Sequence, residues 1–215
     1  MNFSRVKEGA LKYLGYQGQT IDYSIASMLD ECLNEIDKMS SFKVVYKSFP
    51  LDFDPLLIKE VNININYPDL IDLLNNCHDV IIIACTLGIQ VDKRSKYYSH
   101  IDMTKMTIFD AIASSYLEAK CDEYERHHII GKRTFRFCPG YGNVPIELNR
   151  ELARVIDSHR KIGLTVQDSH ILLPQKSMIG LIGLGDNNRK KSCKNCLNIK
   201  NCDFRKRGQI CYKID

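Results

Sequence analysis

Apolar residues recur at three- and four-residue steps through the first fourteen positions (Phe3, Val6, Ala10, Tyr13, Leu14), which predicts a helix closed by Gly15. A second helix is expected over 22–39, capped by Asp22 and carrying Ile25, Met28, Leu29, Cys32, Leu33 and Ile36 on one face. The period then shortens. Residues 42–49 alternate loosely and read as a strand, and 53–61 as a short strand or turn. Residues 61–66 alternate strictly between apolar side chains and Asn, the pattern of a half-exposed strand. Pro68 opens a short helix through Leu74. The run from His78 to Gly88 is rich in β-branched residues without alternation, so it predicts a central strand buried on both faces. Residues 89–101 predict a helix that carries Ile89, Val91 and Tyr97 inward, and 103–126 the longest helix, with Ala113, Ser114 and Ser115 as a surface for close packing. Residues 132–137 read as a strand, 147–156 as a short helix that continues toward Gly163, and 164–166 and 178–184 as further strands.

Between the long helix and the short one lies the stretch around which the chain is organised: Arg136-Phe137-Cys138-Pro139-Gly140-Tyr141-Gly142. Proline and glycine suit the interior of neither helix nor strand, so this is a turn. Arg136 offers a planar fork for a carboxylate, and Tyr141 a ring face with a polar tip.

Composition adds bounds. The 215 residues suit one globular domain with a small appendage, and a 44% hydrophobic content suits an ordinary core. No apolar run approaches the roughly 20 residues of a membrane helix, and the first residues lack a signal-peptide pattern, so a cytoplasmic location without a membrane partner is expected. Charge is uneven. Residues 189–215 hold nine Lys or Arg and two Asp, leaving 21 basic and 24 acidic residues for 1–188. We therefore expect a body over 1–188 and a basic tail over 189–215. Of nine cysteines, four fall in the tail as Cys193-x2-Cys196-x5-Cys202-x8-Cys211. That spacing is suited to a tetrahedral zinc site or a [4Fe-4S] cluster. The scattered five read as buried, small apolar residues. The adjacent His127 and His128 point different ways on a helix, so capping is expected of them and not metal binding.

Several of these segments together resemble a known family. Arg136-x-x-Pro139-Gly140-Tyr141, the preceding Asp110-Ala111-x-Ala113-x-x-x-x-Glu118 helix, and Pro174-x-Lys176-Ser177 look like the activation (S-adenosylmethionine-binding) domain of cobalamin-dependent methionine synthase. Leu14-Gly15-Tyr16 and Ala84-Cys85-Thr86-Leu87-Gly88 look like its short, free-standing members. The resemblance spans roughly residues 5 to 185, and the four-cysteine tail is an addition to it.

The resemblance implies an α+β fold, a twisted antiparallel sheet with flanking helices. It implies S-adenosylmethionine (AdoMet) bound in a shallow groove, with Glu118 toward the ligand's ammonium, Arg136 toward its carboxylate, the Cys138–Gly140 backbone close to the ligand and Tyr141 beside it. The task implied is reductive reactivation of a cobalamin-dependent methyltransferase, performed by docking on a corrinoid protein or methionine synthase subunit, with a flavodoxin- or ferredoxin-type electron donor. The family supplies no acid–base residues in this domain. Its turn has small residues before Pro-Gly, where this chain has Phe137 and Cys138. The rival reading is an iron–sulfur electron-transfer or redox module on the same fold without AdoMet chemistry. A nucleic-acid partner for the basic tail is the weakest reading.

Overall fold

A computed structural model describes residues 1–187, 193, 202–206, 208 and 210. The helices are α1 (Phe3–Tyr13), α2 (Tyr23–Met39), α3 (Pro68–Leu74), α4 (Ile89–Ile101), α5 (Met103–His128), α6 (Leu148–Val155), α7 (Ser158–Ile162) and α8 (Asp203–Lys206). The strands are β1 (Lys43–Phe53), β2 (Leu56–Ile58), β3 (Ile63–Asn64), β4 (Cys77–Thr86), β5 (Thr165–Val166), β6 (Leu172–Leu173) and β7 (Ser177–Gly185). Five of them form an antiparallel sheet in the order β3-β2-β1-β4-β7, and β5 and β6 form a separate pair. No helix among the described residues is long and apolar enough to cross a membrane.

The central position of β4 explains its unbroken apolar run. Its side chains alternate between two cores. Ile81, Ile83 and Cys85 face α1, α2, α4 and α5, while Val80, Ile82 and Ala84 face α3, α6 and α7. Each fully buried isoleucine here stabilises the fold by about 1.5–3 kcal/mol. The helix termini follow their capping residues. Asp22 accepts from Ser24 N at 2.8 Å, and Asp102 accepts from Lys105 N at 2.9 Å. His128 closes α5, with Nδ1 2.9 Å from the Tyr124 carbonyl and its ring stacked on Tyr124.

Three expectations change. Residues 61–66 supply only the two-residue β3, because the asparagines bond backbone themselves. Asn64 Oδ1 accepts from Asn66 N at 2.9 Å, and Asn66 Oδ1 accepts from Leu56 N at 3.2 Å. In α4 the inward pair is Val91 and Tyr98, one heptad apart, whereas Ile89 and Tyr97 are exposed. Tyr98 wins the inward place because its hydroxyl donates to Glu35 at 2.6 Å. Residues 132–137 join the outer edge of β7 only through isolated bridges, Arg133 to Leu184 and Phe137 to Leu181.

The small-residue surface on α5 is used by α1. A Cβ on Gly9 would lie 2.2 Å from Ser115 Oγ, and that hydroxyl donates to the Val6 carbonyl at 2.8 Å. Gly9→Ala is therefore expected to destabilise the protein by about 1–3 kcal/mol in urea unfolding. In a Ser115→Ala background the cost is expected to fall, since the 2.2 Å clash with Oγ is gone, the remaining approach to the Cβ of residue 115 is 3.2 Å and alanine is the better helix former by about 1 kcal/mol. Equal costs in both backgrounds would refute the steric account.

Candidate functional site

Helix α5 carries a polar row at four-residue steps: Asp110, Ser114, Glu118 and Asp122, with Glu125 close behind. Residues four apart on a helix share a face. The two other segments of interest attach to this row at opposite ends.

At one end stands Arg136. Its side chain is only 5% exposed. It crosses Gly180 of β7, where a Cβ would lie 2.6 Å from Arg136 Cγ, and reaches under α5. There Nη2 donates to Asp122 Oδ1 at 3.2 Å, and Nη1 meets Glu125 Oε1 as an ion pair without hydrogen-bond alignment. Burial opposes the charge, but the neighbouring Asp122 carboxylate favours it, and the guanidinium is held above its ordinary range. Cys121 lies in the same layer, 3.4 Å from Cys85 Sγ. The hydrogen bond between them and burial push the Cys121 thiol far up, so it is an inert packing group. The fork expected to await a ligand carboxylate is thus taken by two carboxylates of the protein. A buried guanidinium requires such partners.

The turn leaves directly from this anchor. Gly140 adopts φ +92°, which a side chain would strain, and its N–H donates to the Val144 carbonyl at 2.9 Å. Asn143 and Asp69 clasp the turn to the start of α3 through reciprocal backbone bonds of 2.9 and 3.3 Å. Tyr141 is 63% exposed, and Cys138 is half-buried. Phe137 packs into the core on the α3 and α6 side of the sheet, away from Arg136.

At the other end stands Lys176. Its Nζ donates to Asp110 Oδ1 at 2.7 Å and to Ser114 Oγ at 2.8 Å. Its backbone is fixed from a third direction, with Asp92 of α4 accepting from Gln175 N at 2.6 Å and Lys176 N at 3.3 Å. Ser177 Oγ donates to Thr86 Oγ1 at 2.7 Å, and Thr86 Oγ1 also accepts from Gly88 N. Glu118 lies on the row between these two anchors. It is exposed, and no ion pair or hydrogen bond engages it among the described residues.

The structure thus brings the three sequence segments onto one helix face. Sequence reading placed the Lys176 segment at the site but missed Asp122, Glu125 and Asp92 as members of the arrangement. The four-residue spacing of Asp110, Glu118 and Asp122 was the signal available for part of it. Two clefts lie elsewhere, one of about 510 Å³ against Lys93, Arg94 and Tyr97 and one of about 270 Å³ against Arg150 and Arg154.

Of the tail cysteines, Cys193 and Cys202 are half-buried, whereas Cys196 and Cys211 lie outside the described residues. No group of metal ligands forms among the described residues. The tail meets α1, where Lys12 Nζ donates to the Ile210 carbonyl at 3.4 Å and Phe204 meets the Tyr13 ring edge-on.

An antiparallel five-stranded sheet with helices on both faces makes this an α+β protein, and its fold is that of a reactivation domain. The chain is similar to a crystal structure of the MetH reactivation domain bound to AdoHcy, at a TM-score of 0.60 and 13% identity, over 98% of this chain and 85% of that one. No family model and no curated protein matches the sequence.

Replacing Arg136 tests its structural role. Arg136→Leu leaves Glu125 buried without its cation, and is expected to cost about 3–5 kcal/mol in urea unfolding. A loss below about 1 kcal/mol, the range of an exposed pair, would show the guanidinium to be dispensable.

Proposed function

We propose that this chain reactivates a cobalamin-dependent methyltransferase of the methionine synthase type, binding AdoMet on the α5 face and docking on a corrinoid protein. The observation that carries the reading is the position of Glu118, an exposed carboxylate held between two cation-anchored segments. AdoMet is a zwitterionic amino acid with a sulfonium cation, so it favours a negative surface. Along the row, Asp110, Glu118, Asp122 and Glu125 oppose Lys176 and Arg136, four carboxylates against two cations, which leaves a net charge of −2. Glu118 takes the ligand's ammonium. The turn from Cys138 to Tyr141 offers backbone at Gly140 and the Tyr141 ring beside the ligand. Arg136 fixes that turn from beneath. The bound AdoMet supplies the methyl group, and the protein supplies position.

The fold, shared with a reactivation domain bound to AdoHcy, supports the ligand class. The corrinoid partner, its flavodoxin- or ferredoxin-type electron donor and a cytoplasmic setting belong to the same reading. So does the division into a body over 1–188 and a metal-binding tail, Cys193, Cys196, Cys202 and Cys211 holding zinc or a [4Fe-4S] cluster. The cysteine tail keeps a second reading in view, an iron–sulfur electron-transfer module on this fold without AdoMet chemistry.

Calorimetry with AdoMet, with and without a cob(II)alamin-loaded partner, tests the first reading. Glu118→Gln, an exposed substitution, is expected to keep the fold and to weaken binding about 10-fold or more. Equal affinity in both proteins would remove Glu118 from the site. Metal analysis of anaerobically purified protein tests the tail. Iron and sulfide in a 1:1 ratio, with loss of the chromophore in air, are expected for the cluster; stoichiometric zinc without colour would exclude it.

A further inference from the structure

Once Arg136 is engaged by Asp122 and Glu125, an amino acid ligand on this face needs another group for its carboxylate. An ammonium has three N–H donors. Lys176 gives one to Asp110 and one to Ser114, which leaves a third. The Lys176 side chain is 14% exposed, so it is mostly packed without being sealed from the surface. Asp92, the other acidic group near it, already accepts from two backbone N–H groups. The Ser114 hydroxyl donates to the Asp110 carbonyl at 3.0 Å, so it faces Lys176 as an acceptor.

Glu118 stands one helical turn from Ser114, a rise of about 6 Å. A helical side chain covers the turn N-terminal to its own Cα, which sets Glu118 over the turn that Ser114 and Lys176 share. A cationic donor and a carboxylate outside any ion pair thus flank the same turn of α5, and no ion pair joins them among the described residues. The two charged ends of an α-amino acid are separated by a single carbon and call for two such opposite partners close together.

The geometry points to Lys176 as the group that holds the carboxylate of an α-amino acid ligand, with Glu118 opposite holding its ammonium. This inference rests on the AdoMet reading above and assigns the specificity for the amino acid end. Lys176 is prepositioned for the task. Asp110, Ser114 and Asp92 hold it before any ligand arrives, so little side-chain entropy is lost on binding.

The test is a ligand series measured by calorimetry on the full chain: AdoMet, AdoHcy, decarboxylated AdoMet and 5′-methylthioadenosine. Wild type is expected to bind AdoMet about 10- to 100-fold more tightly than decarboxylated AdoMet, the effect of one charge-assisted pair. Lys176→Met is expected to lose that preference while its affinity for 5′-methylthioadenosine, which lacks the amino acid end, stays unchanged. Wild type that binds AdoMet and its decarboxylated form equally overturns the assignment, and this comparison needs no variant to fold. A folded Lys176→Met protein that retains the wild-type preference overturns it as well. Wild type that binds none of the four ligands overturns it together with the reading beneath it, an outcome distinct from the other two.

Discussion

A charged guanidinium beneath a helix is the constraint on which this architecture depends. Arg136 comes from the irregular edge beside β7 and ends against α5. Such a charge is tolerated only when paired, because its desolvation costs several kcal/mol. Asp122 and Glu125 meet that demand from the same helix, one turn apart. Their positions fix the rotation of α5 about its axis. Gly180 is part of the same requirement, because any side chain there would occupy the path of the arginine stem. The polar row that includes Glu118 faces outward as a consequence.

The second anchor works by a different route. Lys176 is held by a side-chain ion pair, by a hydroxyl and by backbone bonds to Asp92, so α4, α5 and the end of β4 converge on one segment. With the arginine at one end of the row and the lysine at the other, α5 is fixed at two points against the sheet. A carboxylate between two such points belongs to a rigid element, which positions a functional group more accurately than a loop does. The turn at Gly140, clasped to α3 through Asn143 and Asp69, completes the surroundings.

Much of this was legible in the sequence, and the reason is periodicity. The helices from α1 to α5, the doubly buried β4 and the strand β7 all follow from local spacing, since each has a core to face. Spacing does not reveal where a long polar side chain ends. Arginine by type is an exposed residue, so the Arg-x-x-Pro-Gly-Tyr segment read as a ligand fork. Its burial depends on Gly180, more than forty residues later in the chain. Similarly, α4 offered two adjacent tyrosines, and a carboxylate on another helix, Glu35, decided between them. The asparagine alternation of 61–66 imitated a strand because period two is blind to what the polar positions bond.

The bulky Phe137 and Cys138 look at first like obstacles to a ligand groove. Neighbouring residues on an extended segment point to opposite faces. Arg136 is committed to the α5 face by its ion pairs, so Phe137 is sent to the other side, where it packs into the core shared by α3 and α6. The phenyl ring therefore lies across the sheet from the polar row. Cys138 remains half-buried at the start of the turn, where its backbone carbonyl accepts from Tyr141 N at 3.4 Å. The placement of Phe137 thus follows from burying the arginine, and its ring leaves the face that carries Glu118 and Lys176 clear.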